Sequence, residues 1–192
     1  MTDLPSASPA RPGPGPRWLP TIMVAAVVAT VVLGGIGLDA VVAAPSAGTV
    51  SIGGVVPMTA APGWVLATSP GASGGIELQK SDAVLTAQLV ASLYPGVSAS
   101  MLSGQEKSLS DGTSQISYGD AHHATIEGHD TTYVVFEATV ASGAQSGVVD
   151  GELVCMVVDS NAVVIVVVAP QGDLDPVIDD ISAMLASVGV AR

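Results

Sequence analysis

From Thr21 to Leu38 the chain reads TIMVAAVVATVVLGGIGL, an unbroken apolar run. As a helix at about 1.5 Å per residue its length matches the roughly 30 Å hydrocarbon core of a bilayer. Extended back to Trp18, an interfacial residue type, the stretch carries no charge. Beyond residue 49 the period of the apolar positions shortens to two. Val50–Val56 is a candidate first strand, and a turn at Ala61-Pro62-Gly63 leads into a second strand at Trp64. Ile76–Lys80 and Ala83–Val90 alternate around Ser81-Asp82, the signature of a hairpin with one buried face. Ser98–Asp111 has Leu102 and Leu109 two turns apart and Ser98 in a capping position, which predicts a helix.

Further strands are predicted at Ser114–Tyr118, His122–Ile126, Thr131–Val140, Val148–Val158 and Ala162–Ala169, with a turn at Gly128-His129-Asp130. In Thr131–Val140, Val134, Phe136, Ala138 and Val140 share one face, and Tyr133, Val135 and Glu137 the other. Ala162–Ala169 is apolar on both faces, as a central strand covered from both sides would be. The last element is a helix. Asp175 sits at its N-cap and Pro176 at its first position; Val177, Ile178, Ile181, Leu185 and Val188 form its apolar stripe, and Gly189 ends it. Asp179 and Asp180 fall on its exposed side. Short turns between consecutive strands imply antiparallel pairing. The fold class is therefore α+β: a mostly antiparallel sheet sandwiched with two helices, preceded by a single transmembrane helix.

The chain divides into a Pro/Gly-rich tail (1–17), the anchor (18–38), a linker (39–48) and an α+β domain (49–190). The RPGPGPR run favours an irregular, PPII-like tail. Arg11 and Arg17 precede the anchor, and Asp39 follows it. The positive-inside bias then places the N-terminus in the cytoplasm and the domain outside, as a single-pass plasma-membrane protein. The alternative is a cleaved signal peptide and a secreted domain, with Val42-Ala43-Ala44 before the cut. Small residues Ala26, Thr30 and Gly34, spaced by four, form a candidate helix-packing face in the membrane.

Charge narrows the function classes. Of 17 carboxylates, all but Asp3 and Asp39 lie beyond residue 49, against Lys80, Lys107 and Arg192, so the chain from there on holds the whole net charge of −12. Such a surface repels phosphate backbones, which excludes nucleic acid as a partner. The single cysteine, Cys155, lies within an apolar strand and reads as a buried hydrophobe.

The sequence carries no Gly-x-Ser-x-Gly elbow, and the GASGG loop (71–75) lacks the Lys-Ser/Thr of a phosphate-binding loop. No catalytic residue or cofactor is assigned. The one dense polar constellation is Asp120–Asp130, which contains all three histidines. His123, Glu127 and His129 are its candidate metal ligands, although His122 and His123 must point to opposite faces of a strand.

The Pro62-Gly63-Trp64 turn entering a strand, the strand pair within Thr131–Val158, the apolar strand Ala162–Ala169 and the closing helix resemble PsbP-like domains, including LpqN-type envelope proteins of actinobacteria. The resemblance spans about residues 50–190. It implies a PsbP-like fold and a non-catalytic binding or assembly role. The lipobox cysteine of the LpqN type is absent, in keeping with a transmembrane anchor in place of a lipid. The expected function is thus an anchored extracytoplasmic module that binds or supports a cell-envelope partner protein. The alternative is a small-ligand- or metal-binding envelope domain.

Overall fold

The computed structural model describes residues 48–67, 75–90, 98–113, 115–142 and 145–190. The tail, the apolar segment with Ala26, Thr30 and Gly34, and the linker up to residue 47 lie outside them. Among the described residues no helix is long and apolar enough to cross a membrane.

The elements in order are β1 (Thr49–Ile52), β2 (Val56–Thr59), β3 (Val65–Leu66), β4 (Ile76–Lys80), β5 (Ala83–Val90), α1 (Ser98–Gly112), β6 (Gln115–Tyr118), β7 (His122–Ile126), β8 (His129–Ser142), β9 (Gln145–Val158) and β10 (Asn161–Pro170). A single 3₁₀ turn (Asp175–Val177) then leads into α2 (Ile178–Ala186). β3 to β10 form an eight-stranded antiparallel sheet in the order β3-β4-β5-β10-β9-β8-β6. β7 shares the outer edge of β8 with β6, pairing residues 129–133 while β6 pairs 136–139.

β10 is central because its sequence allows nothing else. Val163, Ile165, Val167 and Ala169 enter one core, and Ala162, Val164, Val166 and Val168 enter the other. A β-branched run of this kind suits a pleated strand and gains free energy only when both faces are covered, at roughly 1.5–3 kcal/mol per fully buried large aliphatic side chain. The first core lies under α2 and the β1–β2 hairpin, and Trp64, Leu78, Met58, Ile181 and Met184 are fully buried there. The second lies under α1, whose Met101, Leu102 and Leu109 meet Val134, Phe136, Leu153 and Cys155. The result is three layers, an α+β sandwich with helices on opposite faces.

Four local details differ from the sequence pattern. Val50–Val56 is not one strand: Gly53 and Gly54 take left-handed φ angles of 59° and 76° and fold it into the β1–β2 hairpin. The β7–β8 turn is centred on Glu127-Gly128, both at positive φ, so His129 already opens β8. Asp175 does not cap an α-helix; it begins the 3₁₀ turn, and no side chain caps either start. Ile178, expected on the apolar stripe, is exposed, and Met184 takes its place in the core beside Val177, Ile181, Leu185 and Val188.

Asp180 is a fifth. It is not a free surface carboxylate: its Oδ2 accepts hydrogen bonds from Lys80 Nζ (2.6 Å) and from the indole N–H of Trp64 (3.1 Å). The Pro62-Gly63-Trp64 turn, the end of β4 and α2 are thereby fixed to one another. Gly63 has φ 83° and lies under the Lys80 stem, so the turn needs a residue tolerant of that conformation. The other end of α2 is held by Ser187, whose Oγ accepts from Thr59 N (2.8 Å), and by Gly189 N, which donates to Pro57 O (2.8 Å).

Candidate functional site

The layer of α2 and the β1–β2 hairpin does not extend over the whole sheet. On β9 its core takes in Val154, Met156 and Val158. Strand alternation puts Glu152, Asp150 and Val148 on the same face, with Val135 and Glu137 beside them on β8. This end of the face is open: Val135 is 50% and Val148 36% exposed. The core under α2 and the β1–β2 hairpin does not reach these two valines.

The loop from β10 to α2 leans over this end. Gln171 N donates to Val148 O (3.1 Å), Gly172 N to Asp150 Oδ2 (2.8 Å) and Gln171 Nε2 to Glu137 Oε2 (3.2 Å). On the other side, Gly119 N continues the β6 edge by donating to Val135 O (2.9 Å). Between them lies a depression of about 450 Å³ with Val135, Tyr118, Phe136 and Leu174 as its apolar part and Glu137, Asp150 and Asp175 as its polar part. Phe136 packs from the opposite face against Gly151, where a Cβ would come within 2.3 Å of its ring.

Glu152 lies on the same face of β9 without lining the depression. It lies directly opposite Val135 and two residues from Asp150, with only 9% of its surface exposed. Among the described residues no donor reaches its carboxylate, and burial pushes its pKa up. The sequence signal for this site was Asp150-Gly151-Glu152 inside an otherwise apolar strand, since two carboxylates at i and i+2 share a face.

The histidine hairpin is arranged differently. His123 lies on the α1 face, with Nε2 2.6 Å from Asp130 Oδ1. Asp130 Oδ2 in turn accepts from Ser98 N (2.8 Å) at the start of α1, and Ser98 Oγ lies 2.6 Å from Thr132 Oγ1. The Ser98 N–H beside Asp130 holds its carboxyl below the usual range, with His123 adding to the effect. His122 stacks on Tyr133 on the other face (centroids 5.3 Å apart). His129 is also on that face, against Gly189, and Glu127 is exposed in the turn. His123, Glu127 and His129 are thus sent to three different places. Among the described residues no group of three or more His, Cys, Asp or Glu is placed to hold a metal ion.

The Ser98–Asp130–His123 group has the residue types of a hydrolytic triad in the wrong order. The carboxylate stands in the middle, and the serine hydroxyl is buried against a threonine instead of facing an imidazole. It caps a helix. Cys155 is buried beneath α1, and burial pushes its thiol up to about 12, far from the thiolate a nucleophile needs.

No protein-family model matches this chain, and no curated protein matches it. Solved structures do share its fold. The Ran-binding protein Mog1p of Saccharomyces cerevisiae is 10% identical with a TM-score of 0.52, over 76% of this chain and 95% of that one. Cyanobacterial PsbP (CyanoP) from Synechocystis is 17% identical with a TM-score of 0.50, over 81% and 99%. LpqN of Mycobacterium tuberculosis, involved in cell envelope biogenesis, is 15% identical with a TM-score of 0.45, over 72% and 84%. At these identities the likeness is one of fold, and the fold is PsbP-like.

Proposed function

We propose that this chain is a membrane-anchored extracytoplasmic module, non-catalytic, that binds a cell-envelope partner protein through the depression at the open end of its sheet. The observation that carries the reading is the uncovered face around Val135. On this face of β8 the apolar Val135 side chain is half exposed, rimmed by oriented carboxylates. An apolar centre with a polar rim is the anatomy of a protein interface.

Anchoring is supported by the uncharged apolar segment Thr21–Leu38, by Arg11 and Arg17 before it, and by the acidic domain after it. The non-catalytic reading is supported by the buried, protonated Cys155 and by the capping role of the Ser98–Asp130–His123 group. Mog1p, whose fold this chain shares, is itself described as Ran-binding, so this architecture serves protein recognition in at least one case.

The test is a pull-down of the full chain from detergent-solubilised membranes, wild type against Val135→Asp. The expected result is a protein recovered with the wild type and lost with the variant, both chains having the same circular dichroism. Identical recoveries would overturn the reading. Protease treatment of intact cells should cut the domain from outside; a domain protected until the membrane is opened contradicts the orientation.

A further inference from the structure

We propose that the partner protein adds an extended segment as a further strand against the outer edge of β6, with an apolar side chain passing over Gly119 onto Val135. This inference rests on the reading of the depression as a partner site and names the backbone chemistry that recognises the partner.

The register decides which groups are available. Gly119 N donates to Val135 O, and the β6–β8 register sets Ser117 against Glu137 and Gln115 against Thr139 in step with that contact. Hydrogen-bonded and non-bonded pairs alternate in an antiparallel ladder, so Gln115, Ser117 and Gly119 turn their N–H and C=O groups toward β8. Ile116 and Tyr118 turn theirs away from it. β6 ends the sheet, and among the described residues no backbone group meets these N–H and C=O groups. An extended chain is the ligand that such a row of alternating donors and acceptors fits.

Edge strands are usually blunted by a Lys, a Pro, a charge or extreme shortness. β3, at the other end of the sheet, has two residues. β6 reads Gln-Ile-Ser-Tyr, with no charge and no proline. Its open length has a definite end. Tyr118 and His122 are four residues apart, while their partners Phe136 and Tyr133 are three apart, so a bulge interrupts the edge before β7. The positions open to an added strand are therefore 115–119.

Gly119 ties this edge to the depression. A Cβ there would come within 3.1 Å of Val135 Cγ2. Without one, the half-exposed Val135 is reached sideways from the edge, across a single strand. A residue added opposite Gly119 stands on the Val135 face, and so does one opposite Ser117, beside Glu137. Ser117, Tyr118 and Gly119 belong both to the edge and to the lining of the depression. On the other face the Tyr118 ring is fixed, by its O–H donating to Glu106 O (2.8 Å) and by packing on Phe136, and offers a cross-strand contact.

A second copy of this chain fits the edge less well. Two-fold pairing of β6 with itself that uses the groups of both Ile116 and Tyr118 centres on Ser117. It sets Gln115 opposite Gly119, which leaves Val135 without an apolar cover. It also brings together two chains that each carry a net charge of −12.

The experiment uses the ¹⁵N-labelled full chain in detergent micelles, titrated with the peptide acetyl-Thr-Val-Thr-Val-Thr-amide and with the same peptide N-methylated at every residue. In the free chain the Ile116 and Tyr118 amides should exchange with solvent faster than those of Ser117 and Gly119. The peptide should slow exchange at 116 and 118 and move the amide signals of 116–119 and 135; the methylated peptide should do neither. Ile116→Pro removes one outward N–H at an edge position where proline is tolerated, and should bind the peptide about tenfold more weakly, while Ile116→Val binds it as wild type does. Equal binding of the methylated peptide, unchanged exchange at 116 and 118 with roughly millimolar peptide, or an unaffected Ile116→Pro variant would overturn the inference. So would amides 116 and 118 already protected in the dilute free chain, or protection that grows with protein concentration alone, the sign of a second copy. If the peptide fails in these ways while Val135→Asp still abolishes the pull-down, the partner site stands and strand addition falls. If the peptide adds as expected and the pull-down is indifferent to Val135→Asp, the edge chemistry stands and the partner-protein function falls.

Discussion

Trp64 and Asp180, 116 residues apart in the chain, are joined by a 3.1 Å hydrogen bond from the indole N–H to Oδ2. Lys80 reaches the same oxygen at 2.6 Å. This contact sets the position of α2 on the sheet, and so sets where its cover stops and the open end begins.

Trp64→Phe should keep the buried ring, lose the donor and lower stability by about 1 kcal/mol. Asp180→Ala should cost more, roughly 1–3 kcal/mol, because it strands the indole N–H of a fully buried Trp64 as well as releasing Lys80. The Lys80 share is small, about 0–1 kcal/mol, since its side chain is a third exposed. A double-mutant cycle of Trp64→Phe and Asp180→Ala by urea unfolding checks this: additive losses would contradict the coupling.

Asp130 is the N-terminal cap of α1, supplied from β8. Asp130→Ala should cost about 1–2 kcal/mol, the usual effect of losing a cap. Hydrogen exchange at the Ser98 amide should accelerate with it. Because the folded carboxyl is held below its ordinary 3.8, this contribution is complete above that value and is lost as pH falls through the depressed one. Asp130→Ala should accordingly flatten the acid limb of the stability curve.

Glu152 has the opposite sign. Burial raises its folded pKa above 4.5, so the native state binds the extra proton and stability falls as pH rises from 4.5 through the raised value. Glu152→Gln should therefore stabilise the free domain, by about 1 kcal/mol at pH 7, with the gap to wild type narrowing toward pH 4. Thermal melts of both proteins across that range measure it. A variant less stable than wild type at pH 7 would show that the carboxylate has an internal partner.

Cys155, with its thiol pushed up to about 12 and no exposed surface, should resist iodoacetamide at pH 8 in the native protein. It should react once the chain is unfolded. Alkylation at the native rate of an exposed thiol would require α1 to open.

The fold was legible where one segment decided its own environment. Ala162–Ala169 announced a central strand, the 76–90 hairpin followed from alternation, and the closing helix followed from its stripe. What sequence pattern missed depends on distant pairing. Ser98 was read as its own cap, but the donor and acceptor roles are shared with Asp130, 32 residues on. Asp180 was placed with Asp179 on the solvent side because its partners lie 100 and 116 residues earlier. The histidines drew attention by density, yet alternation and the Glu127-Gly128 turn disperse them. The depression was half visible. Val135 and Glu137 were assigned to one face, and Asp150 and Glu152 share that face through pairing with β8. That the face is bare follows only from where α2 ends.

The most direct measurement of the central claim is site-specific photocrosslinking in intact cells. A photoreactive residue is placed at Val135, and, as control, at Ser103 on the exposed side of α1. The account predicts a discrete crosslinked protein from position 135, absent from position 103. Equal crosslinks from both positions, or none from 135, would contradict it.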